Sequence, residues 1–72
     1  MDVTIVCDES VRSGNPVIEG TRVTVEEVLG MLESGMGFDD IENEYGVEKE
    51  GVQAVVRYAS SFMKGETTGS LA

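Results

Sequence analysis

Three amphipathic stretches separated by glycines constrain the fold of this chain more than any other feature. Thr24 and Glu27 form a capping-box pattern, which predicts that the first helix begins here. Gly35 is expected to end it, and Gly30 inside it costs about 1 kcal/mol relative to alanine, which favours a close helix contact at that position. Its apolar residues recur at helical spacing: Val25, Val28, Leu29 and Leu32.

Two further helices are predicted downstream. The second covers residues 38–44, and Gly46 ends it. The third covers residues 48–63, and the brief GVEK turn makes the pair a candidate helix-turn-helix. The apolar spacing predicts which residues of these helices face inward. In the second helix they are Phe38, Ile41 and Tyr45, and in the third they are Val52, Val55, Val56, Ala59 and Phe62.

The N-terminal part predicts a β-arm or hairpin. The stretch VTIV, residues 3–6, is short and β-branched, as is typical of a strand. In GNPVIEGTRVTV, residues 14–25, two short extended runs (17–18 and 22–23) lie beside Gly14 and Gly20, which can adopt a positive φ. The expected fold is mainly α, with a β-arm over 1–24, three helices over 25–64 and one domain over 1–65. Residues 66–72 are expected to be a disordered tail.

The charge is strongly acidic, with 14 Asp and Glu against five Lys and Arg, a net charge of −9. The acids are scattered, which favours adaptation to a cytoplasm of concentrated salt, where repulsion is screened within roughly 3 Å at 1 M. An acidic surface for a basic partner is the alternative.

The chain is short and its apolar core is thin, so we expect a homodimer in which exposed strand edges of the arm pair between subunits. The single cysteine, Cys7, fits a reducing cytoplasm. The acidic N-terminus is unlike a secretory signal, and no apolar run is long enough for a membrane span. We therefore expect a cytoplasmic protein.

No catalytic machinery is visible in the sequence. Histidine is absent, and neither Cys7 nor any Ser or Thr has a neighbouring base to activate it. Residues 39–50 have the length of a calcium loop but lack its ligand at position 3 and its glycine at position 6. We expect no enzyme activity, no metal, no cofactor and no small-molecule substrate.

Basic residues concentrate on one face of the third helix. Residues 49–64 carry a charge of +2, from three basic residues and one acid, whereas the remainder carries −11, from two basic and 13 acidic residues. At about 100° per residue, a stripe roughly 80° wide contains Lys49, Gln53, Arg57, Ser60 and Lys64. Such a stripe is typical of a DNA-recognition helix, and Gln and Arg read A and G edges. A solvated face with cations near the helix C-terminus is the alternative.

The pattern G-x-P-x-I-x-G-T-R over residues 14–22 resembles the signature of the small prokaryotic family called domain of unknown function 433. The similarity continues over residues 29–60, with the Ser-Gly-Met of residues 34–36, and with Val52, Ala54, Tyr58 and Ala59, the first two closer together than in the family. It covers about residues 8–62. The resemblance implies a homeodomain-like helix-turn-helix and an antitoxin paired with a PIN-type nuclease toxin.

Three positions depart from the family pattern: Glu9 in place of proline, Gly37 in place of a Ser or Thr cap, and Glu48 in place of Thr or Ser. We therefore expect a DNA-binding, antitoxin-like regulator; a module that neutralises the toxin without binding DNA is the alternative. The residues of GNPVIEGTR are interpreted as shaping the arm. Arg22 is expected to clamp a carboxylate of the fold, or else to contact a phosphate or a partner.

Overall fold

A computed structural model describes residues 3–66 of the chain, with side chains to residue 63, and confirms three helices after an N-terminal β-hairpin. The strands are β1 (Ile5–Val6) and β2 (Val17–Ile18), with a short 3-10 turn at Arg12–Gly14 between them. The α-helices are α1 (Val25–Glu33), α2 (Phe38–Tyr45) and α3 (Lys49–Glu66). The predicted tail lies outside the described residues except for residue 66, which is the last residue of α3.

The hairpin pairs β1 and β2 in antiparallel fashion, with Ile5 opposite Ile18. The second extended run predicted at residues 22–23 does not become a strand. The chain turns back after β2, where the Thr21 N–H donates to the Ile18 carbonyl at 2.9 Å, and α1 begins directly afterwards. Only an isolated bridge between Val17 and Thr24 forms there, because too few residues remain for a ladder.

The helix ends follow the local signals. The Glu27 N–H donates to Thr24 Oγ1 at 3.0 Å, and the Thr24 N–H donates to Glu27 Oε1 at 2.9 Å, so the predicted capping box is confirmed. At the start of α2, Asp40 accepts the Gly37 N–H at 3.2 Å, which compensates in part for the missing side-chain cap. Gly46 ends α2 in the left-handed region, with φ of 73°.

The core lies where the helices meet β2. Its buried apolar residues are Ile18, Val25, Val28, Ile41, Val47, Val52 and Val55. Four side chains predicted to face inward are instead exposed: Phe38, Tyr45, Val56 and Phe62. On α2 the buried residue is Ile41. On α3 the buried side includes Gly51 and Ala54 and faces β2, which turns Val56 into solvent, whereas Phe62 lies on the buried side but two turns beyond Val55, the last buried residue in the described part of α3.

The close contact predicted at Gly30 is wrong, and the structure places it at Gly51. A Cβ at Gly30 would meet no atom within 4 Å. At Gly51 it would lie 3.1 Å from Val47 Cγ1 and 3.4 Å from Ile18 Cδ1, so α3 packs closely against β2 and the α2–α3 turn at this residue.

Two alanine substitutions should therefore have opposite effects. Gly30→Ala should raise the free energy of unfolding by about 1 kcal/mol, through helix propensity alone. Gly51→Ala gains the same propensity but crowds the core, at a cost of about 1–3 kcal/mol, so we expect a net loss. Urea denaturation of both variants measures the difference. Equal stabilisation would mean that Val47 and Ile18 move to accommodate the added Cβ at Gly51 without cost.

Candidate nucleic-acid interface

The predicted basic stripe lies on the solvent side of α3. The side chains of Lys49, Gln53, Arg57 and Ser60 are all exposed, whereas Lys64 lies on α3 but its side chain is outside the described part. At about 100° per residue, the stripe is centred roughly 170° from the buried side of the helix. Its described side chains therefore project away from the body of the domain.

The two described cations of the stripe, Lys49 and Arg57, make no ion pair with any carboxylate among the described residues. Lys49 Nζ instead lies 5.5 Å from the centroid of the Phe38 ring, within the range of a cation–π contact. Phe38, which was predicted to face inward, therefore contacts Lys49 at the start of α2. Both charges remain available to an anionic ligand.

Arg57 lies at the border between the stripe and the hairpin. With Tyr58, Ser61 and residues 3–5 it lines an open depression of about 270 Å³ between α3 and β1. Its neighbours in this depression are apolar or hydroxyl-bearing, and among them the Thr4 hydroxyl donates to the Glu19 carboxylate. Arg57 itself makes no ion pair among the described residues.

The helix before the stripe is acidic. On α2, Asp39, Glu42 and Glu44 are exposed, and Asp40 caps the helix start. In a helix-turn-helix the first helix of the pair crosses the DNA backbone, so these carboxylates oppose phosphate binding there. The surface thus combines a basic helix with an acidic neighbour.

The arginine clamp expected for Arg22 is made by Arg12 instead. Arg12 Nη1 donates to the Arg22 carbonyl at 2.9 Å, and Arg12 Nη2 pairs with Glu27 Oε2 at 3.0 Å. The Arg22 side chain is exposed and forms no ion pair within residues 3–66. Its contact with a phosphate or a partner remains a prediction. No local pattern marks Arg12, because its partners lie 10 and 15 residues away in sequence.

Arg12 occupies an unusual backbone conformation. Arg12 and Ser13 have φ of 50° and 59°, in the left-handed region, and Gly14 follows at 85°. Each non-glycine residue in that region costs roughly 1–2 kcal/mol. The bonds from Arg12 to the Arg22 carbonyl and to Glu27 offset this cost and tie the left-handed turn to the start of α1.

Glu27 joins the arm to α1. The Thr24 backbone N–H and, next, the Arg12 guanidinium hold the pKa of the Glu27 carboxyl below its usual value. A carboxyl with a lowered pKa in the folded state stabilises the fold above its unfolded pKa, near 4.5, and loses that contribution as the pH falls through the folded pKa.

Glu27→Gln should therefore lower the free energy of unfolding at pH 7 by about 1 kcal/mol, because the charge-assisted hydrogen bonds to the carboxylate are lost. The loss is no larger because solvent partly screens these bonds in the parent protein. Urea denaturation at pH 7 and below pH 4 should show this deficit shrinking on acidification. Glu26→Gln, at the adjacent exposed position, is the control and should leave the pH profile unchanged. A deficit that does not depend on pH would contradict the assignment.

Groups of three or more His, Cys, Asp or Glu suited to a metal ion do not occur within residues 3–66. In the same range, no helix is both long and apolar enough to cross a membrane. Cys7 is a free, exposed thiol beside β1.

A family model described as "Protein of unknown function (DUF433)" matches residues 5–59. The match runs from β1 into α3 and includes Gln53 and Arg57, but stops before Ser60 and Lys64. Neither the curated proteins nor the solved structures contain a match to this chain.

Proposed function

Because the chain belongs to the DUF433 family of proteins of unknown function, we propose its function from its own surface: a DNA-binding, antitoxin-like regulator of a toxin–antitoxin pair that catalyses no reaction itself. In this proposal α2 and α3 act as a helix-turn-helix, and α3 enters the major groove. The observation that carries the proposal is the exposed stripe of α3, whose two described cations have no carboxylate partner among the described residues.

The distribution of charge supports this role. An acidic protein that binds DNA needs a local basic footprint, and residues 49–64 carry +2 in a chain of −9. Lys49 and Gln53 lie in the first turns of α3, the part of a recognition helix that contacts base edges. Arg57 and Gln53 also have the hydrogen-bonding geometry for guanine and adenine edges, respectively.

The test measures how three variants bind duplex DNA from the promoter of the protein's own gene. A Lys49→Gln/Arg57→Gln variant removes two cations from the stripe and should reduce the slope of log K against log salt by about 2. Arg57→Ala alone should cost about 1–3 kcal/mol and relax preference at one base position. Arg22→Gln removes an exposed arginine outside the stripe and is the control.

Equal binding by the parent and the stripe variant would overturn α3 as the DNA-binding helix. If Arg22→Gln weakens binding as much as Arg57→Ala does, the effect is one of total charge and the stripe has no special role. Thermal unfolding of each variant verifies that the fold is retained.

A second candidate function rests on the exposed acids of α2: a module that neutralises a basic PIN-type nuclease without binding DNA. Complementary charge would mainly accelerate the encounter of the two proteins. The test is co-expression and pull-down with the product of the neighbouring reading frame, where this encodes a PIN-like protein. The triple variant Asp39→Asn/Glu42→Gln/Glu44→Gln should weaken that complex and the stripe variant should not; the reverse result favours the stripe as the toxin-binding surface.

A further inference from the structure

The C-terminal half of α3 carries large apolar side chains that are only partly covered in the described structure, where the Phe62 ring packs edge-on against the Tyr58 ring at 4.9 Å between centroids. Val56, Phe62 and Met63 are 45%, 60% and 59% exposed, and Ala59 between them is half-buried. Val56 and Met63 are separated by seven residues, with Ala59 between them, so they share one side of the helix. We name Val56, Ala59, Phe62 and Met63 the apolar face.

The apolar face lies in the longest acid-free segment of the chain. Residues 51–65 contain no Asp or Glu, although the chain has 14 acids. Two copies that each carry −9 repel each other. Pairing through this segment brings no carboxylate of one copy against a carboxylate of the other, and its described cation, Arg57, lies on the basic stripe and outside the apolar face.

We propose that the apolar face is a homodimer interface, in which the C-terminal halves of two α3 helices pack antiparallel about a two-fold axis near Ala59. An isologous contact of this kind needs one patch that is complementary to itself. The small side chain at Ala59 lets the helices approach, and Val56 of each copy then meets Phe62 and Met63 of the other. The added burial compensates for the thin core of a domain of this size.

This pairing has a consequence that rests on the proposed DNA contact. The basic stripe lies roughly 90° around α3 from the apolar face, so a two-fold axis perpendicular to both helices directs both stripes to the same side of the dimer. Lys49 is ten residues from Ala59, about 15 Å along the helix. The two Lys49 residues would then lie about 30 Å apart, close to one turn of B-DNA.

The first experiment measures the mass of the full chain in solution by light scattering or sedimentation, in about 1 M potassium chloride, which screens charge to roughly 3 Å. We expect a dimer. Met63→Glu should raise the dimer dissociation constant at least about 100-fold, because it places a carboxylate against Val56 of the other copy without a partner. Ser61→Glu adds the same charge two residues away, on nearly the opposite side of α3, and it should leave the dimer intact.

A second measurement uses a cross-link and does not depend on how the Glu variants fold. In a Cys7→Ser background, Ala59→Cys should form an intermolecular disulfide under mild oxidation, since the two-fold axis brings the thiols together. A disulfide through Cys7 in the parent would instead indicate pairing through the edge of β1, and it would overturn the proposal.

Three further results would also overturn it: a monomeric parent, a dimer that persists in a folded Met63→Glu variant, or a monomer that uses Met63 only to bind a PIN-like partner. DNA binding by a monomeric parent would reject the interface and leave the proposed function intact. A Met63-dependent dimer that does not bind the promoter DNA of its own gene would support the interface and reject the proposed function.

Discussion

Ile41→Ala is expected to lower the free energy of unfolding by about 2–5 kcal/mol, the range for large-to-small changes in a core. Ile41 is fully buried and is the buried side chain of α2. Without it, α2 loses its main anchor to α3 and the core gains a cavity. Since small domains have only a few kcal/mol of stability to spare, the variant should be largely unfolded near 37 °C.

Urea denaturation followed by circular dichroism measures this effect, and two variants bracket it. Ile41→Val should cost about 0.5–1.5 kcal/mol. Tyr45→Ala removes a larger side chain from the same helix, but one that is 52% exposed, so it should cost much less than Ile41→Ala. If Tyr45→Ala proved the more costly, the position of the core relative to α2 would have to be revised.

The melting temperature is expected to rise steadily from about 0.1 M to above 1 M potassium chloride. The Debye length falls from about 10 Å to roughly 3 Å over this range, so repulsion within a protein of net charge −9 is progressively screened. In dilute salt this repulsion works against a small core and against the proposed dimer. A thermal melt at several salt concentrations checks the prediction.

Salt also strengthens apolar burial by exclusion from the protein surface, so a charge-reduced control is required. The structure indicates which acids to replace, because Asp8, Glu19, Glu27 and Asp40 accept hydrogen bonds. A control with Glu26, Glu33, Glu42 and Glu44 changed to Gln leaves those bonds intact and carries −9 + 4 = −5. Adaptation to salt predicts a weaker salt response in this control. An equal response would favour the acidic partner surface.

Part of the candidate site could be predicted from sequence because it depends on helical periodicity alone. The exposure of Lys49, Gln53 and Arg57 follows from their common side of one helix. The contact between Lys49 and the Phe38 ring could not be predicted in this way, because it depends on how the starts of two helices meet. The clamp from Arg12 to Glu27 was missed for the same reason, since its residues are 15 positions apart.

The sequence by itself determined the number of helices, their approximate limits and the acidic character of the surface. Capping residues, glycines and apolar spacing act over a few residues, so they can be recognised without a partner. Only the tertiary structure decided which side of α3 is buried. Neighbouring positions on a helix differ by about 100°, so a rotation smaller than one residue exchanges buried and exposed side chains. The close approach of β2 at Gly51 selects the orientation that leaves Val56 in solvent, whereas Phe62 is exposed because it lies two turns beyond Val55, the last buried residue in the described part of α3.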